Sequence, residues 1–428
     1  MDIPLWQYKK TLVLHLYTHL KFSIMNTKKI LLLALSAMSL SAFSQGWGGG
    51  QGGWGFGGTG SSGLGSYTSK KDINYVGDGN NYHALDIYYP KEEKESYPVI
   101  IHVYGSAWSS NNSKGSADLT SIGEGAVKAG YIFVTPNHRA NNDVGAQWPG
   151  LLNDIKAVVR YLRGNAESLK IDTTFIAISG FSSGGHLATM MGATRNVKEY
   201  TVGSTTVDIE GKLGKFTEFS SSVDAVCDWS GPVILDKLNC GSAMDLNSFI
   251  SPMMNNCSAS QCPDIYALAT AVTFMDPSDP PYILIHGSAD NIVAQCQSQL
   301  FYEELQKHGI ESKYIPTNGS HGVNNEKVPD VIEFFNTARE KKLAAMAEIE
   351  DPSDVTNTII NDPSISIKNG YLLISGGEGF SFKIINTEGK IVFQGLYNAQ
   401  EQGYDLTSLA DGLYILTTDT GFAHKFIR

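Results

Sequence analysis

The sequence is short of basic residues, cysteines and long hydrophobic runs, and each shortage excludes a class of protein. Its 428 residues include 32 Lys and Arg against 43 Asp and Glu, a formal charge of -11. Because nucleic-acid-binding faces are basic, this balance argues against a nucleic-acid partner. Five cysteines are too few for a disulfide scaffold, and their odd number leaves at least one thiol unpaired within the chain. Since 42% of the residues are hydrophobic and 18% are charged, the chain can bury a core and is not disordered throughout.

The apolar run at residues 30–40 is too short to span a membrane. It contains 11 residues, whereas a transmembrane helix needs about 20. Two lysines precede the run, and a small-residue motif ending at Ser44 follows it. Residues 25–44 are therefore interpreted as a secretory signal peptide that begins at Met25, in preference to a buried helix. Residues 1–24 are interpreted as an upstream extension from a misassigned start codon.

Glycine, by contrast, is abundant and concentrated in one place. The chain has 44 glycines, and 12 of them fall in residues 45–65. Such a stretch cannot bury enough side chain to offset its conformational entropy. Residues 45–68 are therefore interpreted as a flexible linker. The alternative is that Trp47, Trp54 and Phe56 contact carbohydrate or another surface.

Residues 69–349 alternate between strand patterns and helix patterns. Short apolar runs rich in β-formers predict strands, and apolar residues at helical spacing predict helices. The predicted strands are 84–89, 98–103, 131–135, 175–179, 225–228, 282–286 and 312–316, and the predicted helices are 150–165, 184–191, 297–308 and 329–347. The alternation predicts an α/β fold in which a mostly parallel, doubly wound sheet carries helices on both faces. In such sheets the functional residues lie beyond the carboxyl ends of the strands.

One such strand end carries the motif Gly180-Phe181-Ser182-Ser183-Gly184. This is G-x-S-x-G between a predicted strand and a predicted helix, which is the context the motif requires. Glycines allow a turn so tight that it holds Ser182 in a strained conformation and lifts its hydroxyl clear of the sheet. The amino end of the following helix favours negative charge that develops there. Ser182 is therefore predicted to be a nucleophile rather than an ordinary turn serine.

A serine nucleophile needs a base, and the base needs an orienting carboxylate. In this strand–turn–helix class the chain order is Ser, Asp, His. Among the later histidines, His308 ends a predicted helix and His424 lies in another domain, whereas His321 lies in a Gly-Ser-His-Gly loop after a predicted strand. His321 is the predicted base. Asp290, at the end of the segment YILIHGSAD, is the predicted acid, with a helix cap as the alternative role.

An oxyanion hole requires backbone N–H groups that face the carbonyl oxygen of the substrate. The N–H group of Ser183, directly after the nucleophile, is the first predicted donor. The second is predicted to come from Ser106 or Ala107, in the loop after strand 98–103, for which an ordinary structural turn is the alternative. The residues predicted to line the substrate pocket are Tyr104, Trp108 and Phe181.

Residues 72–340 resemble the alpha/beta-hydrolase esterases and lipases, in particular bacterial acetyl xylan and feruloyl esterases. The matching stretches, in the family's order, include LDIYYP, IIHVYGSAW, ISGFSSGGHLA, VCDWSGP and ILIHGSADNIV. The resemblance implies Ser182, Asp290 and His321 as the catalytic triad and a structural role for His186. Many relatives carry His-Gly-Gly-Gly-Trp where this chain carries YGSAW, so the second oxyanion donor departs from the family pattern.

The insertion 236–265 holds three of the five cysteines and is expected to overhang the site and to shape the substrate pocket. Cys257 and Cys262 are close enough to form a small disulfide loop, although sequence alone does not determine the pairing. Cys227 lies in a predicted buried strand and is interpreted as a core residue. Cys296 opens a predicted helix and has no obvious partner.

The carboxyl end differs in pattern from the rest. Residues 350–363 are a polar linker, and residues 364–428 alternate with period two, which predicts a small antiparallel β-sandwich. The stretches KIINTEGKIVFQG, YDLTSLADGLYIL and HKFIR resemble the C-terminal sorting domain of the type IX secretion system. The resemblance implies export by that machinery to the outer surface of a Gram-negative bacterium or to the medium. The alternative, a carbohydrate-binding module, would need an exposed aromatic platform. Its aromatic candidates are Tyr371, Phe380, Tyr397 and Tyr404.

These features predict a secreted serine carboxylic ester hydrolase that acts through an acyl-enzyme on Ser182. Its expected substrates are acetyl or feruloyl esters of plant polysaccharide. The reaction requires no cofactor, and no clustered metal-ligand motif such as H-E-x-x-H is found in the sequence. The alternatives are a general short-chain carboxylesterase, a serine peptidase of the prolyl-oligopeptidase type, and a non-catalytic adhesion protein. Residues 45–70 cannot form the amino-terminal propeller of such peptidases.

Overall fold

The computed structural model describes residues 67–350 and 364–427 apart from short gaps. The gaps are at 117, 239, 242, 369–370, 376–378, 388, 399–401, 407–408, 411 and 419–422. The interpreted upstream extension, the signal peptide, nearly all of the glycine-rich linker and residues 351–363 lie outside the described residues.

An eight-stranded sheet forms the centre of the first described stretch. The strands of this stretch are β1 (Ser69–Asn74), β2 (Ala84–Tyr88), β3 (Tyr97–Val103), β4 (Ile132–Pro136), β5 (Ile171–Phe181), β6 (Glu199–Val202), β7 (Thr205–Asp208), β8 (Ala225–Trp229), β9 (Tyr282–Gly287) and β10 (Ser312–Thr317). The order in the sheet is β1-β2-β4-β3-β5-β8-β9-β10. The six strands from β4 to β10 run parallel, and β2 and β1 add an antiparallel edge. The predicted mostly parallel sheet is confirmed.

Helices cover both faces of this sheet. The α-helices are α1 (Glu124–Lys128), α2 (Gly150–Gly164), α3 (Ala166–Leu169), α4 (Ser183–Ala193), α5 (Asn247–Ile250), α6 (Pro263–Leu268), α7 (Cys296–Lys307) and α8 (Val328–Glu350). On β3, Val99 and Ile101 face a core shared with α2, α4 and α7, whereas Ile100 faces a second core shared with α1 and α8. Side chains of a strand alternate between faces, so one continuous apolar run supplies both cores.

Two parts of this domain did not follow from the sequence patterns. Strand β1 reads SKKDIN and is largely exposed, so it has no apolar pattern to reveal it. Residues 193–280 contain the antiparallel hairpin of β6 and β7, followed by short helical segments that include α5 and α6.

Within the described residues, no helix combines the length and the apolar character that a membrane crossing requires.

Two disulfides and one buried thiol account for the cysteines. Cys257 and Cys262 are bonded and close the small loop that the sequence left open, and Cys227 is buried and free, as predicted for a core residue. Cys240 and Cys296 are also bonded, although 56 positions separate them. Cys296, for which the sequence offered no obvious partner, therefore has one in Cys240, because the insertion folds back over the start of α7.

The second described stretch contains two antiparallel sheets, as predicted for a β-sandwich. Its strands are β11 (Ser364–Lys368), β12 (Tyr371–Ser375), β13 (Phe380–Asn386), β14 (Ile391–Tyr397), β15 (Gln402–Asp405), β16 (Leu413–Thr418) and β17 (Ala423–Ile427). The sheet orders are β11-β12-β15 and β14-β13-β16-β17. Phe380 and Tyr397 are buried in the core between them. Two of the four aromatic candidates are thus core residues and do not belong to an exposed platform.

Candidate active site

The turn between β5 and α4 places Ser182 at the carboxyl edge of the sheet. Its φ is +54° and its ψ is -121°, a conformation that L-residues rarely adopt. Its N–H group donates to the carbonyl oxygen of Trp229 at the end of β8, 2.8 Å away. The strained conformation expected for this turn is therefore present, and the neighbouring strand holds it in place.

Two glycines make this turn sterically feasible. A Cβ atom on Gly180 would lie 2.0 Å from the carbonyl oxygen of Gly184. A Cβ atom on Gly184 would lie 2.1 Å from the carbonyl oxygen of Val103, at the end of β3. Both contacts are with backbone atoms, so no rotamer change could relieve them. Glycine is therefore required at both positions, because the backbone of the turn packs directly against its own carbonyl groups and against the end of β3.

Ser182, His321 and Asp290 form a continuous chain of hydrogen bonds. His321 Nε2 lies 2.9 Å from Ser182 Oγ, and His321 Nδ1 lies 2.6 Å from Asp290 Oδ2. An ionised carboxylate can only accept, so Nδ1–H donates to Asp290 and Nε2 accepts from the serine hydroxyl. All three residues are at most 7% exposed. The structure thus brings together three predicted residues that come from loops far apart in the sequence.

Asp290 also stabilises the backbone that follows it. Its Oδ1 accepts the N–H groups of Ile292 and Val293, each at 2.9 Å. The alternative role as a cap is thus present as well, although the carboxylate caps this turn and not α7. One oxygen holds the loop while the other holds His321, so the carboxylate has little freedom to rotate.

The pKa values of the pair favour an ionised acid and a neutral base. Burial opposes ionisation of Asp290, but hydrogen bonds from His286 and His321 outweigh it and hold the pKa of Asp290 well below its usual range. Burial lowers the pKa of His321, against the opposing attraction of Asp290. A neutral His321 can accept a proton, and an anionic Asp290 can stabilise the imidazolium that results.

The predicted oxyanion donors lie in two adjoining segments. Ser183 is the first residue of α4, where backbone N–H groups lack partners within the helix. The Ser106 N–H donates to the Ser183 hydroxyl at 2.9 Å, so this predicted donor is already engaged. Ala107 has a φ of +49°, and no hydrogen bond within the described chain engages its N–H group. Of the two alternatives, Ala107 has the free donor.

The three predicted pocket residues occupy different positions. Phe181 is half-buried, with its ring centroid 4.9 Å from that of His321. Tyr104 is buried and donates its hydroxyl to the carbonyl oxygen of Ser110 at 2.9 Å. Trp108 has no exposed surface and lies in the hydrophobic core. Of the three, only Phe181 therefore stands beside the triad with surface available to a ligand, because Tyr104 and Trp108 are both buried.

Trp108 instead supports the loop through His186. Its indole N–H donates to His186 Nδ1 at 3.3 Å, and His186 Nε2–H donates to the carbonyl oxygen of Ala269 at 2.8 Å. Burial lowers the pKa of His186 to about 4, so the ring is neutral. These contacts agree with the structural role that the resemblance implied for His186.

The insertion contacts the loops on both sides of the triad. The Met244 N–H donates to the carbonyl oxygen of Asn291, next to Asp290, at 3.1 Å. On the other side, Asn141 donates its side chain to the carbonyl oxygen of Phe249 at 2.6 Å. The backbone N–H of Asn141 donates to the carbonyl oxygen of Trp108, in the loop that carries Ala107. The insertion therefore borders the loops that carry the site.

One histidine in the site was not identified from the sequence. His286 Nε2 lies 3.3 Å from Asp290 Oδ2, and the ring is fully buried. The sequence feature that could have pointed to it was its position near the carboxyl end of β9, four residues before Asp290. Within the described residues, no three His, Cys, Asp or Glu side chains converge as metal ligands would.

Comparison with known proteins identifies both domains. The BD-FAE family model matches residues 85–305, which is half of the chain. The Secretion system C-terminal sorting domain model matches residues 367–427. A solved structure described as a truncated form of a carbohydrate esterase from gut microbiota is 40% identical, with a TM-score of 0.61. The match covers 64% of this chain and 96% of that one.

Two further relatives are informative. A bifunctional GH43-CE protein of Bacteroides eggerthii is 40% identical with a TM-score of 0.60, over 63% of this chain and 35% of that protein. Esterase LipC of Mycobacterium tuberculosis is 27% identical over 56% of each chain, so this chain spans about half the length of that relative. The chain belongs to the BD-FAE family of alpha/beta-hydrolase esterase domains and ends in a secretion-system sorting domain.

Proposed function

We propose that this protein is a secreted serine carboxylic ester hydrolase that acts through an acyl-enzyme on Ser182. The observation that carries the proposal is the hydrogen-bond chain from Ser182 through His321 to Asp290 at the strained turn. Esterase names among its relatives support the same reaction class.

In the acylation step, the Ser182 hydroxyl oxygen attacks the ester carbonyl carbon and its proton passes to His321 Nε2. The carbonyl electron pair moves to oxygen, and the resulting oxyanion accepts hydrogen bonds from the N–H groups of Ser183 and Ala107. When this intermediate collapses, the bond to the alcohol breaks and His321 returns the proton to the leaving oxygen. The alcohol departs and an ester of Ser182 remains.

Deacylation repeats the sequence with water. His321 takes a proton from the water as its oxygen attacks the acyl carbon, and the same two N–H groups hold the oxyanion. Collapse breaks the bond to Ser182, and the proton returns to the serine oxygen. Asp290 remains ionised throughout and stabilises the imidazolium form of His321 at each transfer.

As substrates we propose acetyl or feruloyl esters of plant polysaccharide or its oligosaccharides. Both solved structures that are 40% identical bear names that point to carbohydrate ester chemistry. A second candidate, a general short-chain carboxylesterase, is favoured by the likeness to Esterase LipC.

We further propose that residues 25–44 act as a signal peptide and residues 69–349 as the catalytic domain. In this proposal, residues 364–428 direct export through the type IX system to the outer surface or the medium.

The Ser182→Ala variant tests the reaction. It should abolish hydrolysis of a nitrophenyl acetate while the far-ultraviolet circular dichroism stays unchanged. The control is Ser168→Ala, since the Ser168 hydroxyl donates only to a nearby backbone carbonyl and lies outside the site. A folded Ser182→Ala protein with full activity would refute the nucleophile assignment.

Substrate class is tested by rates on acetylated xylan, methyl ferulate and nitrophenyl acetate. A polysaccharide deacylase should release acetate or ferulate from the first two. Activity confined to the short nitrophenyl ester would favour the general carboxylesterase.

A further inference from the structure

A second line of buried polar side chains lies directly behind Asp290. His286 Nε2 is 2.9 Å from the carbonyl oxygen of Val293 and 3.3 Å from Asp290 Oδ2. Its Nδ1 is 2.7 Å from Ser298 Oγ, in the first turn of α7. His286 and Ser298 are both fully buried. The acylation and deacylation steps use neither residue.

The contacts of His286 determine which nitrogen carries its proton. A carbonyl oxygen can only accept, so Nε2 must hold the hydrogen that faces Val293 and Asp290. On the other side of the ring, Nδ1 lies within hydrogen-bond distance of the Ser298 hydroxyl. The Val293 carbonyl oxygen therefore places an N–H group on the side of the ring that faces Asp290.

We propose that His286 is a positioning residue that holds Asp290 in line with His321. This inference rests on the proposed ester hydrolysis by Ser182. Ser298 holds the other side of the His286 ring, with its Oγ 2.7 Å from Nδ1. Asp290 Oδ2 then has two histidine nitrogens beside it, His321 Nδ1 at 2.6 Å and His286 Nε2 at 3.3 Å. The carboxylate is held by loop, strand and helix at once.

Removal of His286 should change the triad in a defined direction. Asp290 would lose one of the two histidines that hold its pKa down, and its negative charge would concentrate on His321. This change raises the pKa of His321, and the looser carboxylate aligns the base less well.

The test compares His286→Leu with His286→Gln, whose side-chain amide can still donate from the Nε2 position. In His286→Leu, kcat should fall about tenfold with KM unchanged within about twofold. The acid limb of kcat/KM should move to higher pH. His286→Gln should recover most of both. The matched control is His83→Leu, because His83 is also buried and also lies 3.3 Å from a buried aspartate, Asp154, away from the triad.

A spectroscopic measurement separates this inference from the proposed function. The proton between His321 Nδ1 and Asp290 should give a low-field proton resonance, which His286→Leu should shift and His83→Leu should not. This signal can be read even if the protein hydrolyses no ester. Ser298→Ala, which removes only the hydroxyl, should shift the same resonance by a smaller amount. It replaces His286→Leu as the test variant if His286→Leu fails to fold. The inference would be overturned if neither the resonance nor the acid limb moved in a folded His286→Leu protein. If that variant does not fold, the same result in Ser298→Ala would overturn it.

Discussion

At the scale of single residues, the reactivity proposed for Ser182 combines an unusual backbone with a specific partner. The positive φ directs the hydroxyl out of the turn, and His321 Nε2 lies 2.9 Å away to accept its proton. Neither arrangement is sufficient by itself. A hydroxyl without a base is a weak nucleophile, and a base without an oriented hydroxyl has no proton to accept.

The pH dependence of hydrolysis follows from His321. Burial lowers its pKa below the usual value of about 6.5. The reaction needs the neutral ring, so kcat/KM should be full above this pKa and should fall as the pH drops through it. We expect the midpoint of the acid limb below about pH 6.5 in a profile of kcat/KM against pH. A midpoint above pH 7 would contradict the assignment of His321 as the base.

Replacement of Asp290 by asparagine should be severe although the shapes are similar. The amide carries no charge to stabilise the imidazolium, and its NH2 group can force the wrong tautomer on His321. We expect kcat to fall by on the order of 10³- to 10⁴-fold in steady-state assays. Asp172→Asn is the control, since Asp172 also accepts a nearby backbone N–H but lies at the amino end of β5. Equal losses in the two variants would count against the role of Asp290.

At the scale of elements, the turn between β5 and α4 should tolerate no added methyl group at Gly184. The Gly184→Ala variant would set a Cβ atom against the Val103 carbonyl oxygen. We expect destabilisation of about 1–3 kcal/mol in denaturant unfolding, together with loss of hydrolysis. Gly115→Ala, at a position with no atom within 4 Å of the added Cβ, should change neither quantity. A stable and active Gly184→Ala protein would show that the turn is less closely packed than the structure indicates.

The two disulfides close loops of very different lengths. Cys240 and Cys296 are 56 positions apart, whereas Cys257 and Cys262 are 5 apart. In the chain-entropy description, replacing the first pair by serine should lower the free energy of unfolding by about 4 kcal/mol and the second by about 2 kcal/mol. Denaturant titration of the two double variants measures both. The reverse ranking would mean that the long bridge does not constrain the unfolded chain as expected.

The helices and strands that could be predicted from the sequence are those in which burial of one face produces a regular spacing of apolar residues. Strand β3 and helix α2 show apolar residues at the spacing of their secondary structure, and both were predicted to within a residue or two. Strand β1 was missed because it is an exposed edge. The bond between Cys240 and Cys296 was missed because it depends on the path of the whole insertion.

The same distinction applies within the site. Ser182, Asp290 and His321 could be predicted because each follows a strand in a recognisable turn. Ser298 could not, since its contact with His286 arises only when β9 and α7 pack together. His286 lies only four positions before Asp290, but nothing in the sequence pattern distinguished it from an ordinary buried strand residue. The choice between Ser106 and Ala107 likewise depended on a contact across 77 positions, from the Ser106 N–H to the Ser183 hydroxyl.

At the scale of the whole molecule, the triad and the sorting domain belong to separate parts of the chain. Every residue of the triad lies before residue 322, and the sandwich core lies between residues 372 and 426. We expect a chain that ends at residue 350 to keep kcat/KM within about twofold of the full chain. In a bacterium with a type IX system, the same truncation should abolish export, measured as activity in the medium and on intact cells. Export of the truncated chain would contradict the sorting role.

The central claim is the covalent acyl-enzyme on Ser182, and peptide mass spectrometry tests it directly. The protein is mixed with a nitrophenyl acetate, quenched in acid during turnover and digested. We expect one added acetyl group on the peptide that contains Ser182, and none in the His321→Ala protein. Hydrolysis with no acylated peptide, or with the acetyl group on another residue, would contradict the account.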